Sequence, residues 1–164
     1  MQRIIESIDL VLSRFLIGLM TLIVLAVTWQ VFTRFIIQDP SSWTEELARF
    51  LLIWIGVLGA SYALRTRAHL GIDLITQRVG EAGRRRIKFT VYSVVILFAF
   101  FVMVVGGIRL VNLTFSLNQI SAAMGIRMGY IYTVLPISGS LMIIYSILFM
   151  ISPDDSSYMP EGEE

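Results

Sequence analysis

Four long apolar segments limit what this chain can fold into more than any other feature of its sequence. They cover residues 15–37, 43–64, 88–111 and 129–151. At a rise of about 1.5 Å per residue, a helix of this length crosses a hydrocarbon core of about 30 Å. Lipid cannot hydrogen-bond to the backbone, so each segment is predicted to be a helix. The sequence therefore predicts an all-α integral membrane protein with four transmembrane helices.

The balance of apolar and charged residues supports this class. Hydrophobic residues make up 56% of the 164 residues and charged residues only 15%, whereas about a quarter of a typical soluble domain is charged. The mean hydropathy is +0.77. The first apolar segment is too long for a signal peptide, and no small-residue cleavage site follows it. We therefore expect it to remain as a membrane anchor in a multi-pass protein.

The basic residues predict the orientation of the spans. Short cytoplasmic loops are rich in Lys and Arg, and the connection between the second and third spans carries Arg65, Arg67, Arg78, Arg84, Arg85, Arg86 and Lys88. The other two connections carry only Arg34 and Arg49, and Arg109 and Arg127. Both termini are therefore predicted to be cytoplasmic. The run Arg84–Arg86 with Lys88 acts mainly as a topology determinant in this interpretation, with contact to anionic lipid headgroups as a second role.

Three segments lie outside the predicted spans. Residues 1–14 have apolar side chains at helical spacing and polar ones opposite, which predicts an amphipathic helix on the cytoplasmic membrane surface before the chain turns into the bilayer. Residues 73–79 form a shorter segment of the same kind, or a loop helix that contacts nothing in particular. The acidic residues 152–164 are expected to form a flexible tail.

Several classes of site are excluded by residue type. The chain has no cysteine and one histidine, His69, so it lacks the ligands for thiolate metal sites, iron–sulfur clusters or a haem held by two histidines. No Asp or Glu lies in the middle of a predicted span, which leaves no candidate for a buried proton relay. A net charge of +1 gives no field for nucleic acid. We predict no catalytic residue, cofactor or metal, and no enzymatic activity.

Small residues recur at three- and four-residue spacing within the spans. The second span has Gly56, Gly59, Ala60 and Ala63, and the third has Gly106 and Gly107. Small residues let helix backbones approach closely in a membrane. These positions are predicted to pack either against the chain's own helices or against a partner membrane protein.

The start of the second span carries an unusual set of charges. Ser42 and Glu45 fit a capping box, with Ser42 as the N-cap. Arg49 lies four residues after Glu45 and three after Glu46, so it can pair with either. Because an arginine two turns into a membrane helix is unfavourable against lipid, we predict a Glu46–Arg49 pair at an inter-helix or inter-subunit contact. Trp43 is predicted to belong to the interfacial aromatic belt, and Arg34 can join the charges or a docking patch for a soluble partner.

The ordered set of these features resembles one family over most of residues 10–150, the small (DctQ-type) membrane subunit of tripartite ATP-independent periplasmic (TRAP) transporters. The matching features are Arg34-Phe35, Trp43-Thr44-Glu45-Glu46 with Arg49, Trp54, Gly59-Ala60, Arg65 to His69, Ile72-Asp73, Tyr132 and Leu135-Pro136-Ile137. The resemblance implies a bacterial inner-membrane protein that scaffolds a large transport subunit of about twelve spans. It also implies a periplasmic binding protein that delivers an organic acid and a sodium gradient that drives uptake.

Further expectations depend on this resemblance. The substrate, for example sialic acid or a dicarboxylate, is expected not to touch this chain, so the sequence does not identify it. His69 and Asp73, four residues apart, either order the cytoplasmic loop and meet the large subunit or are simply solvated. Two alternatives remain open: a self-contained four-span homodimeric exporter, which would need a buried acidic residue, and a non-catalytic membrane subunit of another complex.

Overall fold

The computed structural model describes residues 2–39, 41–66 and 81–151. Four sequence predictions therefore fall on residues outside the described part: the pair His69 and Asp73, the segment 73–79, the acidic tail 152–164, and the side chains of Arg84 and Arg85.

The described chain is built from helices. Helix α1 (Gln2–Phe32) ends in a π-helical turn (Thr33–Ile37), and α2 is Ser42–Arg65. Helix α3 (Glu81–Phe98) runs through a π-helical segment (Ala99–Gly106) into α4 (Gly107–Ser116). A short α5 (Met128–Tyr132) precedes α6 (Val134–Ile151).

These helices form four helical segments that are long and apolar enough to cross a membrane, and we number them spans 1 to 4. The spans are Ile8–Ile37, Ser42–Arg65, Arg86–Ser116 and Met128–Ile151. The prediction of an all-α protein with four membrane helices is confirmed. The spans are antiparallel, so Ile8, Arg65, Arg86 and Ile151 lie at one end of the bundle, called here the proximal end. Ile37, Ser42 and the connection 117–127 lie at the other end, called the distal end.

Two span boundaries differ from the predicted ones. Helix α1 passes through residues 14 and 15 without a break, so span 1 begins at Ile8 and includes Asp9; the membrane-surface position of residues 1–14 stays a prediction. Span 3 continues past residue 111 to Ser116. The hydroxyl of Thr114 donates to the carbonyl of Leu110 at 2.6 Å, so this polar side chain is satisfied without leaving the helix. The helix stops before Asn118, whose φ of 47° is left-handed and suits asparagine.

The packing order of the spans differs from their order along the chain. Span 1 packs on span 2, span 2 on span 4, and span 4 on span 3. Spans 1 and 3 therefore lie toward opposite sides of the bundle. One buried cluster joins all four spans and consists of Leu12, Leu58, Leu64, Tyr92, Val134, Tyr145 and Phe149.

Span 4 is interrupted near its distal end, where α5 gives way to α6 at Thr133. Pro136 follows three residues later and has no N–H to donate to a preceding carbonyl. The amide of Ile137 instead donates to the carbonyl of Thr133 over 3.3 Å. The proline therefore accounts for the break in the helix, and α6 continues regularly beyond it.

Candidate functional site

The start of span 2 is built differently from the predicted capping box. The helix begins at Ser42, so Ser41 is the N-cap, and no side chain caps the first turn. The hydroxyl of Thr44 donates back to the carbonyl of Ser41 at 2.8 Å. The hydroxyl of Ser41 is buried with no hydrogen-bond partner among the described residues. The capping box fails because the carboxylate of Glu45 points along the helix to Arg49 instead of back to the helix start.

Glu45 and Arg49 form an ion pair one helical turn apart. Their side chains are 51% and 72% exposed, so the pair faces away from the chain's other spans. The predicted Glu46–Arg49 pair is wrong. Both Glu45 and Glu46 lie at a helical spacing that allows pairing with Arg49. Glu45 forms the pair because the carboxylate of Glu46 accepts hydrogen bonds from backbone amides of another segment.

Glu46 holds the connection between spans 3 and 4. One of its carboxylate oxygens accepts hydrogen bonds from the backbone amides of Ala123 and Met124, each at 2.9 Å. The carboxylate is an acceptor without a proton of its own, so two converging N–H groups suit it well. Span 2 and the distal connection are thereby fixed to each other.

The connection itself is a folded turn, which presents those two amides. The amide of Ser121 donates to the carbonyl of Ile126 at 2.8 Å, and the amide of Gly125 donates back to Ser121 at 3.1 Å. Gly125 has a φ of 68°, a left-handed conformation that glycine adopts without strain. Ile120 and Arg127 pair across the turn as a single antiparallel bridge. We call residues 119–127, together with Glu46, the distal ledge.

Arg34 and Trp43 do not join these groups. The guanidinium of Arg34 lies 6.0 Å from the ring centroid of Phe35, and Arg34 takes no part in either ion pair formed by the described residues. The side chain of Trp43 is 51% exposed. The predicted charge cluster is therefore divided into the Glu45–Arg49 pair, the Glu46 contact and an outlying Arg34.

A second polar network lies at the proximal end, and sequence reasoning missed it. Asp9 of span 1 accepts from Arg65 Nε of span 2 at 2.8 Å and from the Tyr145 hydroxyl of span 4 at 2.8 Å. The guanidinium of Arg65 also lies over the ring of Phe149, 5.7 Å from its centroid, and Tyr92 of span 3 stacks on the same ring. This proximal network therefore connects all four spans.

The sequence pattern predicts Asp9 on the polar face of the surface helix 1–14, and it predicts Arg65 in the basic connection between spans 2 and 3. The sequence signal that was available is an acidic residue set between apolar neighbours at the start of a span. Its partners are 56 and 136 residues away in the chain, so no local pattern identifies them.

Spans 2 and 4 are joined by hydrogen bonds from side chains to backbone carbonyls. The buried hydroxyl of Ser138 donates to the carbonyl of Val57 at 2.7 Å, and Ser61 lies 2.5 Å from the same hydroxyl. Nearer the distal end, Trp54 Nε1 donates to the carbonyl of Ile131 at 3.1 Å. Such bonds hold membrane helices together where lipid supplies no hydrophobic drive.

The small residues divide into two groups. A Cβ built on Gly107 would lie 2.9 Å from Pro136 Cδ, and one on Gly139 would lie 2.7 Å from Met103 Cβ. Spans 3 and 4 therefore pack closely at these glycines. A Cβ on Gly106 would meet only the carbonyl oxygen of Phe101 at 3.5 Å, an ordinary contact.

The small residues of span 2 belong to the group that makes no close contact with another described helix. A Cβ built on Gly56 or Gly59 would meet no atom of another described helix within 4 Å. Ala60 is exposed and Ala63 half-buried. This stripe faces outward and does not bring span 2 close to the chain's own helices.

Two of the predicted lipid-headgroup residues are described at the proximal end. Arg86 is exposed and Lys88 is half-buried, and Lys88 has an interaction partner. Among the described residues, no group of three His, Cys, Asp or Glu side chains is placed to hold a metal ion.

Comparison with known proteins identifies the family. Residues 23–154 match the model of the DctQ component of the tripartite ATP-independent periplasmic transporters. A small permease protein of the sialic acid TRAP transporter of Vibrio cholerae is 31% identical over 84 residues, which are 51% of this chain and 47% of that protein. A putative TRAP transporter small permease protein of Haemophilus influenzae is 24% identical over 152 residues, 93% of this chain and 92% of its own length.

A third relative is much longer than this chain. The isethionate TRAP transporter permease protein of Oleidesulfovibrio alaskensis is 28% identical over 136 residues, which are 79% of this chain but only 21% of that protein. The chain thus spans about half the length of the Vibrio relative and about a fifth of the length of this one. The family consists of membrane subunits of transporters and not of enzymes, and its members are multi-pass proteins of the bacterial inner membrane. This chain belongs to the DctQ-component family of TRAP transporters.

Proposed function

We propose that this chain is the scaffolding small subunit of a sodium-driven TRAP transporter that takes up an organic acid. The observation that carries the proposal is the family match over residues 23–154, which covers spans 2 to 4 and the second half of span 1. Relatives named for sialic acid and for isethionate support an organic anion as the transported compound. The partners in this proposal are a large permease subunit, a periplasmic binding protein and the surrounding lipid.

The polar groups of the spans support a scaffolding role. The acidic side chains of the described spans are Asp9, Glu45 and Glu46, and each lies near a span end and is engaged with a cation or with backbone amides. A path for ions normally needs ionisable groups at depth that are open to water. The sodium and substrate sites are therefore expected in the large subunit.

The distal ledge is the proposed contribution of this chain to docking the binding protein. The Arg and Lys residues between positions 65 and 88 support a cytoplasmic proximal end, and in this proposal the distal end faces the periplasm. A loop fixed by Glu46 offers a partner a surface that is already ordered, which reduces the entropy lost on binding. The side chain of Ile120 in the ledge and that of Leu117 beside the ledge are each 59% exposed, and they supply apolar contact area.

Uptake into proteoliposomes tests the proposal. A large TRAP permease subunit and a periplasmic binding protein from the same organism are reconstituted with and without this chain. Uptake of labelled sialic acid, isethionate and dicarboxylates is then measured under an inward sodium gradient. We expect uptake of one organic acid only when all three proteins and the gradient are present. Equal uptake without this chain, or without sodium, would contradict the proposal.

A further inference from the structure

Polar and small residues on the outer surfaces of the spans are more informative than apolar ones. Lipid tails cover exposed Leu, Ile, Val and Phe at no cost, so an apolar outer face needs no protein partner. A charged side chain within a span is unfavourable against lipid, and small residues favour close approach of another helix. Exposed arginines also lie within spans 1 and 3, at Arg14, Arg34 and Arg109. Span 2 is chosen because one of its faces combines an exposed ion pair with exposed Gly56 and Ala60.

That face follows the helical repeat. It runs through Glu45, Arg49, Leu52, Gly56 and Ala60, spaced by four, three, four and four residues, which puts them on one side of a helix with 3.6 residues per turn. All five are exposed. Spans 1 and 4 cover the other sides of span 2. We call these five residues the span-2 outer face.

The part of the face from Arg49 to Ala60 is shallow, because Gly56 and Ala60 have small side chains. We call this part the notch. From Arg49 to Ala60 the helix rises about 16 Å, and a Cβ on Gly56 would meet no atom of another described helix within 4 Å. Gly107 and Gly139, by contrast, are already in close contact with a neighbouring span. The chain uses glycine for close packing between spans 3 and 4, and it leaves the notch of span 2 unfilled.

The distal half of the face carries the charges of Glu45 and Arg49. Arg49 lies seven residues inside span 2, about 10 Å from its first residue, with 72% of its side chain exposed. The pairing with Glu45 neutralises the charge, but the guanidinium has further N–H donors. Lipid tails cannot accept those hydrogen bonds, whereas the carbonyl and side-chain oxygens of another membrane protein can.

We propose that the span-2 outer face is the surface on which the large permease subunit docks, with one of its helices in the notch and an oxygen acceptor beside Arg49. This inference rests on the proposed function, which supplies the large subunit as a partner. In the isethionate relative, the region matching this chain is part of a single polypeptide about five times the matched length, so a large permease is its covalent neighbour. A second copy of this chain fits less well, because a parallel two-fold dimer would bring both copies of Arg49 to the same depth.

Photocrosslinking tests which protein covers the face. A photoreactive phenylalanine analogue replaces Leu52, which is 63% exposed, and in a control it replaces Val94 of span 3, which is 60% exposed. With the large subunit co-expressed in intact membranes, we expect position 52 to give an adduct of the mass of this chain plus the large subunit, and position 94 to give none. An adduct of two copies of this chain, or lipid adducts alone at position 52, would overturn the proposal.

Bulky substitutions test the notch. Gly56→Leu and Ala60→Leu should each lower the amount of large subunit that co-purifies with the tagged chain about tenfold, because a leucine side chain overpacks a contact shaped by a small residue. Gly18→Leu is the matched control, because Gly18 of span 1 also has no atom within 4 Å of a built Cβ. Equal co-purification of all three variants with the unmodified chain would overturn the assigned face while leaving the proposed function intact. If even the unmodified chain brings down no large subunit, the proposed function itself fails.

Discussion

Glu45 and Glu46 are adjacent in the chain, yet their carboxylates stabilise different parts of the molecule. Glu45 pairs with a cation of its own helix and stays half-exposed, so the pair contributes little to the stability of this chain alone. Glu46 accepts two backbone amides from a turn 77 and 78 residues away. At the scale of single residues, Glu46 therefore controls the distal ledge and Glu45 controls the orientation of Arg49.

Glu46→Gln tests this division directly. The neutral amide keeps one oxygen but loses the charge that strengthens its bonds to the amides of Ala123 and Met124. We expect those two amides to exchange with deuterium at least several-fold faster, measured on the purified chain in lipid nanodiscs. Glu45→Gln is the matched control and should leave exchange in residues 119–127 unchanged. Identical exchange in both variants would show that Glu46 does not fix the ledge.

Asp9 is the residue on which the proximal network depends, because it accepts from both Arg65 and Tyr145. Asp9→Asn removes the counter-charge of a mostly buried arginine and should lower the free energy of unfolding by about 1–3 kcal/mol. Tyr145→Phe removes one hydrogen bond and should cost less, about 0.5–1.5 kcal/mol. Unfolding in detergent titrations would measure both. A larger loss in Tyr145→Phe than in Asp9→Asn would contradict the assigned roles.

At the scale of helices and their pairing, the contact between spans 3 and 4 shows how neighbouring glycines can differ. Gly107 faces Pro136 and Gly106 does not. Gly107→Ala should destabilise the chain by about 1–3 kcal/mol through overpacking. Gly106→Ala should be neutral or stabilise it by up to about 1 kcal/mol, because alanine favours helix. The midpoint of thermal unfolding in detergent compares the two, and equal shifts would contradict the close contact at Gly107.

The helices themselves could be predicted from the sequence because membrane helices need only length and apolar character, both of which are local properties. Their ends were less predictable. The polar face of residues 1–14, which includes Asp9, predicts a boundary before residue 15, but polar side chains are tolerated within a continuous helix when they pair or remain exposed. The capping box of Ser42 and Glu45 was a valid local pattern that a competing local pair, Glu45 with Arg49, displaced.

The contacts of Glu46 and Asp9 were not predictable for a different reason. Each joins residues far apart in the sequence, and the partner of Glu46 is a pair of backbone amides that carries no side-chain signature. The small residues of span 2 were recognised as packing surface, but whether they faced inward or outward depended on which sides spans 1 and 4 occupy.

At the scale of the whole molecule, the packing order 1–2–4–3 leaves spans 1 and 3 at the sides and span 2 with one outward face. Such an arrangement suits a subunit that lies beside a larger membrane protein. The orientation of the molecule in the bilayer is predicted from its basic residues and can be measured independently of any partner.

Single-cysteine labelling measures that orientation, since the chain has no cysteine of its own. Ser42→Cys lies at the distal end and Arg86→Cys at the proximal end, and both positions are exposed. In intact cells, an impermeant maleimide should label Ser42→Cys, and it should label Arg86→Cys only after permeabilisation. The reverse pattern would contradict the predicted orientation and the periplasmic position of the distal ledge.

The central claim, that this chain is one subunit of a larger transporter, is tested most directly by the mass of the complex in its own membrane. The tagged chain is solubilised gently from the membranes of its source organism, and the purified assembly is examined by native mass spectrometry. The account predicts one copy of this 18.5 kDa chain bound to one much larger multispan permease. An assembly that contains only this chain, as a monomer or as a dimer, would contradict it.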